Sequence, residues 1–146
     1  MTLHDGDVHV LLGRRYSSKE EVLSAIGDVM LASGAVSPRY VEGMFEKEAR
    51  FSTWVTEDVA LPHGTNEVKR EVRRDCLVLV QMPEGVEWGA GRRVRLAIGF
   101  AGRGDDRHVR LLKVLATVLQ SSEELARLRE TSDEAEAMRI LEAHAA

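Results

Sequence analysis

Residues 76–82 read CLVLVQM, five apolar side chains in succession before the first polar one. A strand with one face in water alternates apolar and polar residues, so an unbroken run suits a strand covered on both faces. Residues 94–101, VRLAIGFA, form a second such run. The segment between them contains PEGVEWGAG and reads as a turn-rich connection. A shorter candidate strand, TEDVAL at 56–61, precedes Pro62.

Outward from this block the pattern is helical. Ser17 and Ser18 each have a glutamate three residues on, Glu20 and Glu21, the capping-box spacing. Val22, Ile26, Val29 and Met30 then recur at helical intervals, with Gly34 as the stop. Ser37 followed by Pro38 predicts a second helix, with the serine as cap and the proline in the first turn. Val41, Met44 and Phe45 make its apolar side. Toward the C-terminus, His108, Leu111, Leu112, Leu115, Val118 and Leu119 share one broad helical face. Ser121 with Glu124, and Thr131 with Glu134, open two further short helices. Helices on both sides of a block of strands predict an α/β fold, a central mixed β-sheet flanked by helices, in one domain over residues 1–146.

The bulk numbers narrow the function classes. At 146 residues, 44% hydrophobic and 30% charged, the chain can bury a core. A net charge of −4 argues against a general nucleic-acid-binding surface. The single cysteine, Cys76, can form no internal disulfide and no cysteine-rich zinc motif. The N-terminus lacks the basic start and long apolar core of a signal peptide. No apolar run approaches the roughly 20 residues that span a bilayer. A cytoplasmic protein is expected.

Two of the five histidines stand out. His4 and His144 lie near the termini and read as exposed and inert; His9 alternates with Val8 and Val10 on the outer face of an early strand. His63 sits between Pro62, which makes the chain enter rigidly, and Gly64, which leaves space beside the ring. Thr65 or Asn66 would cap a helix over EVKREVRR, residues 67–74. Such a helix start presents free N–H groups to an anion, and Lys69, Arg70, Arg73 and Arg74 add charge. The plain alternative is a turn histidine bonded only to backbone. His108 follows GRGDDR, residues 102–107, where Asp105 or Asp106 would cap a helix beginning near it; here the alternative is an ordinary surface histidine. Two such histidines after two strands could share one sheet edge. No GxSxG or GxxxxGK[ST] motif occurs, and the ligand clusters of a zinc site are absent.

ALPHGTNEVKREV, residues 60–72, resembles the active-site segment of the enzyme IIA domains of the bacterial sugar phosphotransferase system, mannitol/fructose type, with the mannitol branch the nearest match. The similarity extends through LLGRRYSSKEEVL, YVEGMFEKE, PEGVEWG and LAIGFAGRGDDRHV. It implies a phosphocarrier that takes a phosphoryl group from phospho-HPr onto His63 and passes it to the cysteine of an enzyme IIB domain, for uptake of a sugar or hexitol such as mannitol. It also implies that the membrane is met only through the IIC transporter and that the sugar is never bound directly. No nucleic acid, metal or cofactor is expected. The second active-site histidine of the family falls on His108, in a loop one residue longer than usual. The family's arginine, in a pattern like M-x-x-R-E, is replaced here by Lys47, which keeps the charge but loses the bidentate fork. Arg50, nearly a turn on, is an alternative. Lys47, the N–H groups near Gly64 and Thr65, and the Thr65 hydroxyl are expected to stabilise the phosphoryl group. One ring nitrogen of His63 should donate to a carbonyl or carboxylate, a backbone carbonyl ahead of Glu57 or Asp58, while Nε2 attacks phosphorus. Val59, Leu61, Phe51 and Trp54 are candidates for partner docking, with core packing the favoured reading for each. A regulatory module of the nitrogen-related type, switched by His63 phosphorylation, is the alternative function.

Overall fold

The computed structural model describes residues 6–145. Five strands, β1 (Gly6–Leu11), β2 (Trp54–Thr56), β3 (Val59–Ala60), β4 (Asp75–Gly89) and β5 (Arg92–Ala101), form one sheet in the order β1-β4-β5-β3-β2. β1 with β4 and β3 with β5 are parallel, whereas β4–β5 and β2–β3 are antiparallel. The expected mixed sheet flanked by helices is the observed fold.

The apolar run that opened the reading is covered on both faces. Leu77 and Leu79 point into one core with Leu96, Ile98 and Phe100 of β5. That core is completed by α3 (Gly104–Leu119), α4 (Ser122–Glu130) and α5 (Glu134–Ala145). Cys76, Val78 and Val80 point the other way, toward α1 (Lys19–Ala32) and α2 (Pro38–Arg50). The two-residue period of a strand deals alternate side chains to the two layers, so every position must be apolar. Truncation of Leu77 or Leu79 to alanine would cost about 2–5 kcal/mol.

The α1 boundaries follow the sequence signals. Ser18 Oγ accepts from the Glu21 N–H at 3.2 Å. At the other end Gly34 takes a positive φ of 79°, and Gly34 and Ala35 N–H return to Leu31 and Met30 carbonyls. The start of α4 likewise uses Ser121, whose Oγ accepts from the Glu124 N–H. For α5 the bond to the helix start comes from Asp133, not Thr131: Asp133 Oδ1 accepts from the Ala135 N–H.

Several local expectations are corrected. PEGVEWG is not a connection; it continues β4 through a register shift between Gln81 and Val86, and the turn falls at Ala90 and Gly91. Gly85 and Gly89 adopt positive φ there, so the glycines bend a strand rather than end it. TEDVAL is a small hairpin, β2 turning at Glu57 (φ 45°) into β3. Ser37 stands at the N-cap of α2, but its hydroxyl donates to Glu71 instead of capping. EVKREVRR forms no α-helix: residues Asn66–Glu71 make a 3₁₀ helix. His144 is half-buried and bonded to Glu124 at 2.6 Å, tying α5 to α4, so it is not a free terminal residue. His4 lies outside the described residues.

Candidate functional site

The site grows from the pairing of β3 with β5. After Ala60 the chain keeps following β5, and the Phe100 N–H donates to the Pro62 carbonyl at 3.0 Å. His63 therefore leaves the sheet at the C-terminal end of two adjacent parallel strands, where α/β sheets open a crevice. Its ring lies against Phe100, centroids 4.7 Å apart.

His108 arrives from the other direction. β5 ends at Ala101, and α3 begins at Gly104, four residues before His108. The expected aspartate cap is not formed. Arg103 occupies the N-cap without a side-chain bond, while Asp105 and Asp106 lie within the first turn, where they favour the helix dipole. Gly102 permits this tight entry, because a Cβ there would lie 2.6 Å from both Cα and N of His108. The His108 ring sits edge-on to His63 at 5.6 Å and 5.2 Å from Phe100. Three rings thus form a triangle, and the two predicted histidines share one site.

The protonation of His63 follows from its contacts. Nδ1 lies 2.7 Å from the Leu61 carbonyl oxygen, an acceptor, so Nδ1 carries the proton and donates it. Burial pushes the His63 pKa down; the Leu61 carbonyl opposes this, Lys47 and Lys69 depress it further, and Glu48 opposes. A neutral ring with its proton on Nδ1 leaves a lone pair on Nε2. Neither Glu57 nor Asp58 orients the ring; both pair with Arg129. His108, 8% exposed, is pushed down to about 4, first by burial and then by Lys69, His63 and Lys47, with Asp105 opposing.

Two consequences for pH follow. A reaction that needs neutral His63, such as the phosphoryl uptake that the sequence resemblance implies, should stay flat from neutral pH down through 6.5, the ordinary histidine value, and fall only in more acid solution. Rates of single-turnover uptake against pH check this. Stability has its own sign. Both histidines have folded pKa values below their unfolded value, so below about pH 6.5 the unfolded chain binds more protons. Stability present above that pH should drain away as pH falls toward 4, as urea titrations at several pH values would read.

The loop is pinned by a residue that the sequence did not single out. Tyr40 of α2 is buried; its hydroxyl donates to the Phe100 carbonyl at 2.9 Å and accepts the Gly64 N–H at 3.0 Å. This corrects the expectation for Gly64: its N–H is already engaged. Gly64 instead provides space, since a Cβ there would lie 2.7 Å from Val68 and 2.8 Å from Tyr40. Tyr40→Phe keeps the ring and strands two buried backbone groups. A loss of about 1–3 kcal/mol in urea unfolding is expected, with slower phosphoryl uptake as the loop loosens.

The remaining residues fall into place around the rings. The charge of Lys47 is felt at both histidines, whereas Arg50 lies 3.9 Å from Glu67. Lys69 also acts on both rings and bonds Asp105 at 3.2 Å, tying the 3₁₀ helix to α3. Thr65 is 6% exposed, and its hydroxyl is buried with no hydrogen-bond partner in the structure. A buried orphan hydroxyl two residues from His63 is a natural contact for an incoming oxyanion. Glu48 is buried, accepts from the Thr53 N–H and hydroxyl, and fixes the end of α2 that carries Lys47. Of the four docking candidates, Val59 and Leu61 are core, Trp54 is half-buried beneath Arg92, and Phe51 is exposed.

The family described as "Phosphoenolpyruvate-dependent sugar phosphotransferase system, EIIA 2" matches residues 6–144. The mannitol-specific phosphotransferase enzyme IIA component of Bacillus subtilis is 33% identical, over 90% of this chain and 92% of that protein. The mannitol-specific EIICBA component of Escherichia coli is 33% identical over 93% of this chain, which spans 22% of that longer protein. The solved complex of enzyme IIA and phosphorylated enzyme IIB for mannitol from Escherichia coli contains a chain that superposes with a TM-score of 0.83 at 32% identity, covering 92% of this chain and 94% of that one.

Proposed function

The chain belongs to the EIIA 2 family of the phosphoenolpyruvate-dependent sugar phosphotransferase system, and from that membership we propose that His63 is its phosphoryl carrier. The observation that carries the assignment is the 2.7 Å bond from Nδ1 to the Leu61 carbonyl, which leaves the Nε2 lone pair beside His108.

Transfer then runs as follows. The Nε2 lone pair of neutral His63 attacks the phosphorus of phospho-HPr; the new N–P bond forms as the bond from phosphorus to the donor breaks. Positioning and charge neutralisation supply the catalysis, and the scheme requires no metal. The incoming group carries about −1.5 to −2 charges. Lys47 and Lys69 offset it, His108 and the Thr65 hydroxyl hydrogen-bond its oxygens, and the Nδ1–H···O bond holds the ring against rotation. In the second step a cysteine thiolate of the IIB domain attacks phosphorus, the N–P bond breaks, and His63 returns to its neutral form.

On this reading the chain works as a single EIIA unit in the cytoplasm, for uptake of a sugar or hexitol such as mannitol. The fused IIA, IIB and IIC parts of the longer relative support the link to a IIC transporter, through which alone the membrane is met. No helix among the described residues is long and apolar enough to cross a membrane. The sugar is not a ligand of this chain. The test is passage of the phosphoryl group from the charged chain to a cognate IIB domain, followed by intact mass of both. Discharge onto the IIB cysteine supports the carrier role. A charged chain that never discharges would instead indicate a regulatory module.

A further inference from the structure

A second cluster of reactive side chains lies away from the two histidines, on the strand pair β1–β4. Asp7 stands directly in register with Cys76. Strand periodicity puts His9 on the same face as Asp7, while Val8 and Val10 turn to the opposite core. The ligand atoms of Asp7, His9 and Cys76 all lie within 4.8 Å of one another. His9 Nε2 is 2.5 Å from Asp7 Oδ2. The other carboxylate oxygen, Oδ1, is buried and accepts no hydrogen bond; the Arg74 guanidinium lies 3.6 Å from it. Phosphoryl transfer uses none of these groups.

We propose that Asp7, His9 and Cys76 form a binding site for one borderline-soft divalent cation, best fitted by Zn²⁺, with water as the fourth ligand. One carboxylate oxygen, one imidazole nitrogen and one thiolate make a donor set suited to zinc, and a poor one for Mg²⁺ or Ca²⁺, which take oxygen. Zinc bonds of about 2.0–2.3 Å place tetrahedral ligand atoms about 3.5 Å apart, so the ion would replace the 2.5 Å contact between His9 and Asp7, spreading those two atoms while the thiol draws in from within 4.8 Å. β1 is the edge strand of the sheet, so the site lies at its margin. The His9 side chain is 32% exposed, which provides the entry path and the place for water.

The balance of charge and protons is simple. On binding, the S–H bond of Cys76 breaks, an S–Zn bond forms, and the proton goes to solvent. Thiolate and carboxylate together neutralise the ion. Because the thiol must lose its proton to bind, affinity should strengthen as pH rises. Arg74 is held by the Ser33 carbonyl, and its charge lowers the affinity without occupying a ligand position. Bound metal would pin β1 to β4. This site departs from the expectation of no metal, because its three ligands meet only when β1 and β4 pair.

The test is a titration of the reduced, metal-free whole chain with Co²⁺. One equivalent should bind and produce thiolate-to-cobalt charge-transfer absorption, displaced by Zn²⁺. Cys76→Ser should abolish that absorption. His9→Gln, at a half-exposed position and so safe for folding, should weaken binding at least about 10-fold, as should Asp7→Asn. His9→Gln should leave phosphoryl uptake on His63 unchanged. Absence of charge-transfer absorption in the unaltered chain, its survival in Cys76→Ser, or affinity unchanged by His9→Gln and Asp7→Asn would each overturn the proposal.

Discussion

A His63→Ala chain is expected to gain no phosphoryl group from phospho-HPr, while the unaltered chain gains one. The loss should be complete, because the substitution removes the bond-forming atom and not a supporting contact. His108 does not stand in for it. That ring is more deeply buried, at 8% exposed, and enters from α3 instead of the rigid Pro62 segment. The fold should survive. His63 is half-buried, and its packing partner Phe100 belongs to a core that β4, β5 and α3 close without it. Intact mass after incubation with the donor reads the charge state, and circular dichroism confirms the fold. Phosphorylation persisting in His63→Ala would move the carrier elsewhere.

His108→Ala should separate acceptance from delivery. The altered chain should still become charged, but hand its phosphoryl group on more slowly by about 10²–10³-fold, the usual cost of losing one preorganised donor to a developing oxyanion. The physical reason lies in the state of the ring. Uncharged, His108 is held down to about 4 and is neutral at working pH. A phosphoryl group on the neighbouring ring, 5.6 Å away between centroids, brings negative charge that pulls the His108 pKa up. His108 then donates to the oxygens most strongly as charge shifts during transfer. His108→Gln, which retains an N–H donor, should recover part of the rate. Delivery from His108→Ala at the unaltered rate would remove His108 from the mechanism.

The layers of the fold were legible because burial leaves a pattern. A short unbroken apolar run suits a strand covered on both faces, and CLVLVQM is one. Capping signals placed α1 and α4, where Ser18 and Ser121 bond the N–H groups expected of them. Turn signals misled where glycine serves curvature. In PEGVEWG, Gly85 and Gly89 bend a continuous strand, and residue type alone cannot tell a bulge from a loop end. EVKREVRR has helical composition, yet it is pulled into a short 3₁₀ helix closed against α2 and α3: a Cβ on Gly43 would lie 2.4 Å from Val68, and Lys69 reaches Asp105. Tertiary packing overrode propensity there.

The site was legible in its two histidines and less so in the residues around them. Pro62 and Gly64 flagged His63, but Tyr40 left no local mark, since an aromatic on a helix usually means core. Its role appears only when Gly64 and Phe100 are brought to its hydroxyl from 24 and 60 residues away. Lys69 read as one basic residue among four; the fold makes it the one whose charge reaches both imidazoles. Lys47 was singled out by the resemblance, and the fold adds Lys69 as a second cation acting on both rings.

The most direct test of the central claim is the atom that holds the phosphoryl group. Long-range ¹H–¹⁵N correlation of the charged, ¹⁵N-labelled chain distinguishes the two phosphohistidine isomers. The bond from Nδ1 to Leu61 predicts phosphorus on Nε2 of His63, with the Nδ1 proton retained. Phosphorus on Nδ1, or on any residue other than His63, would contradict the account.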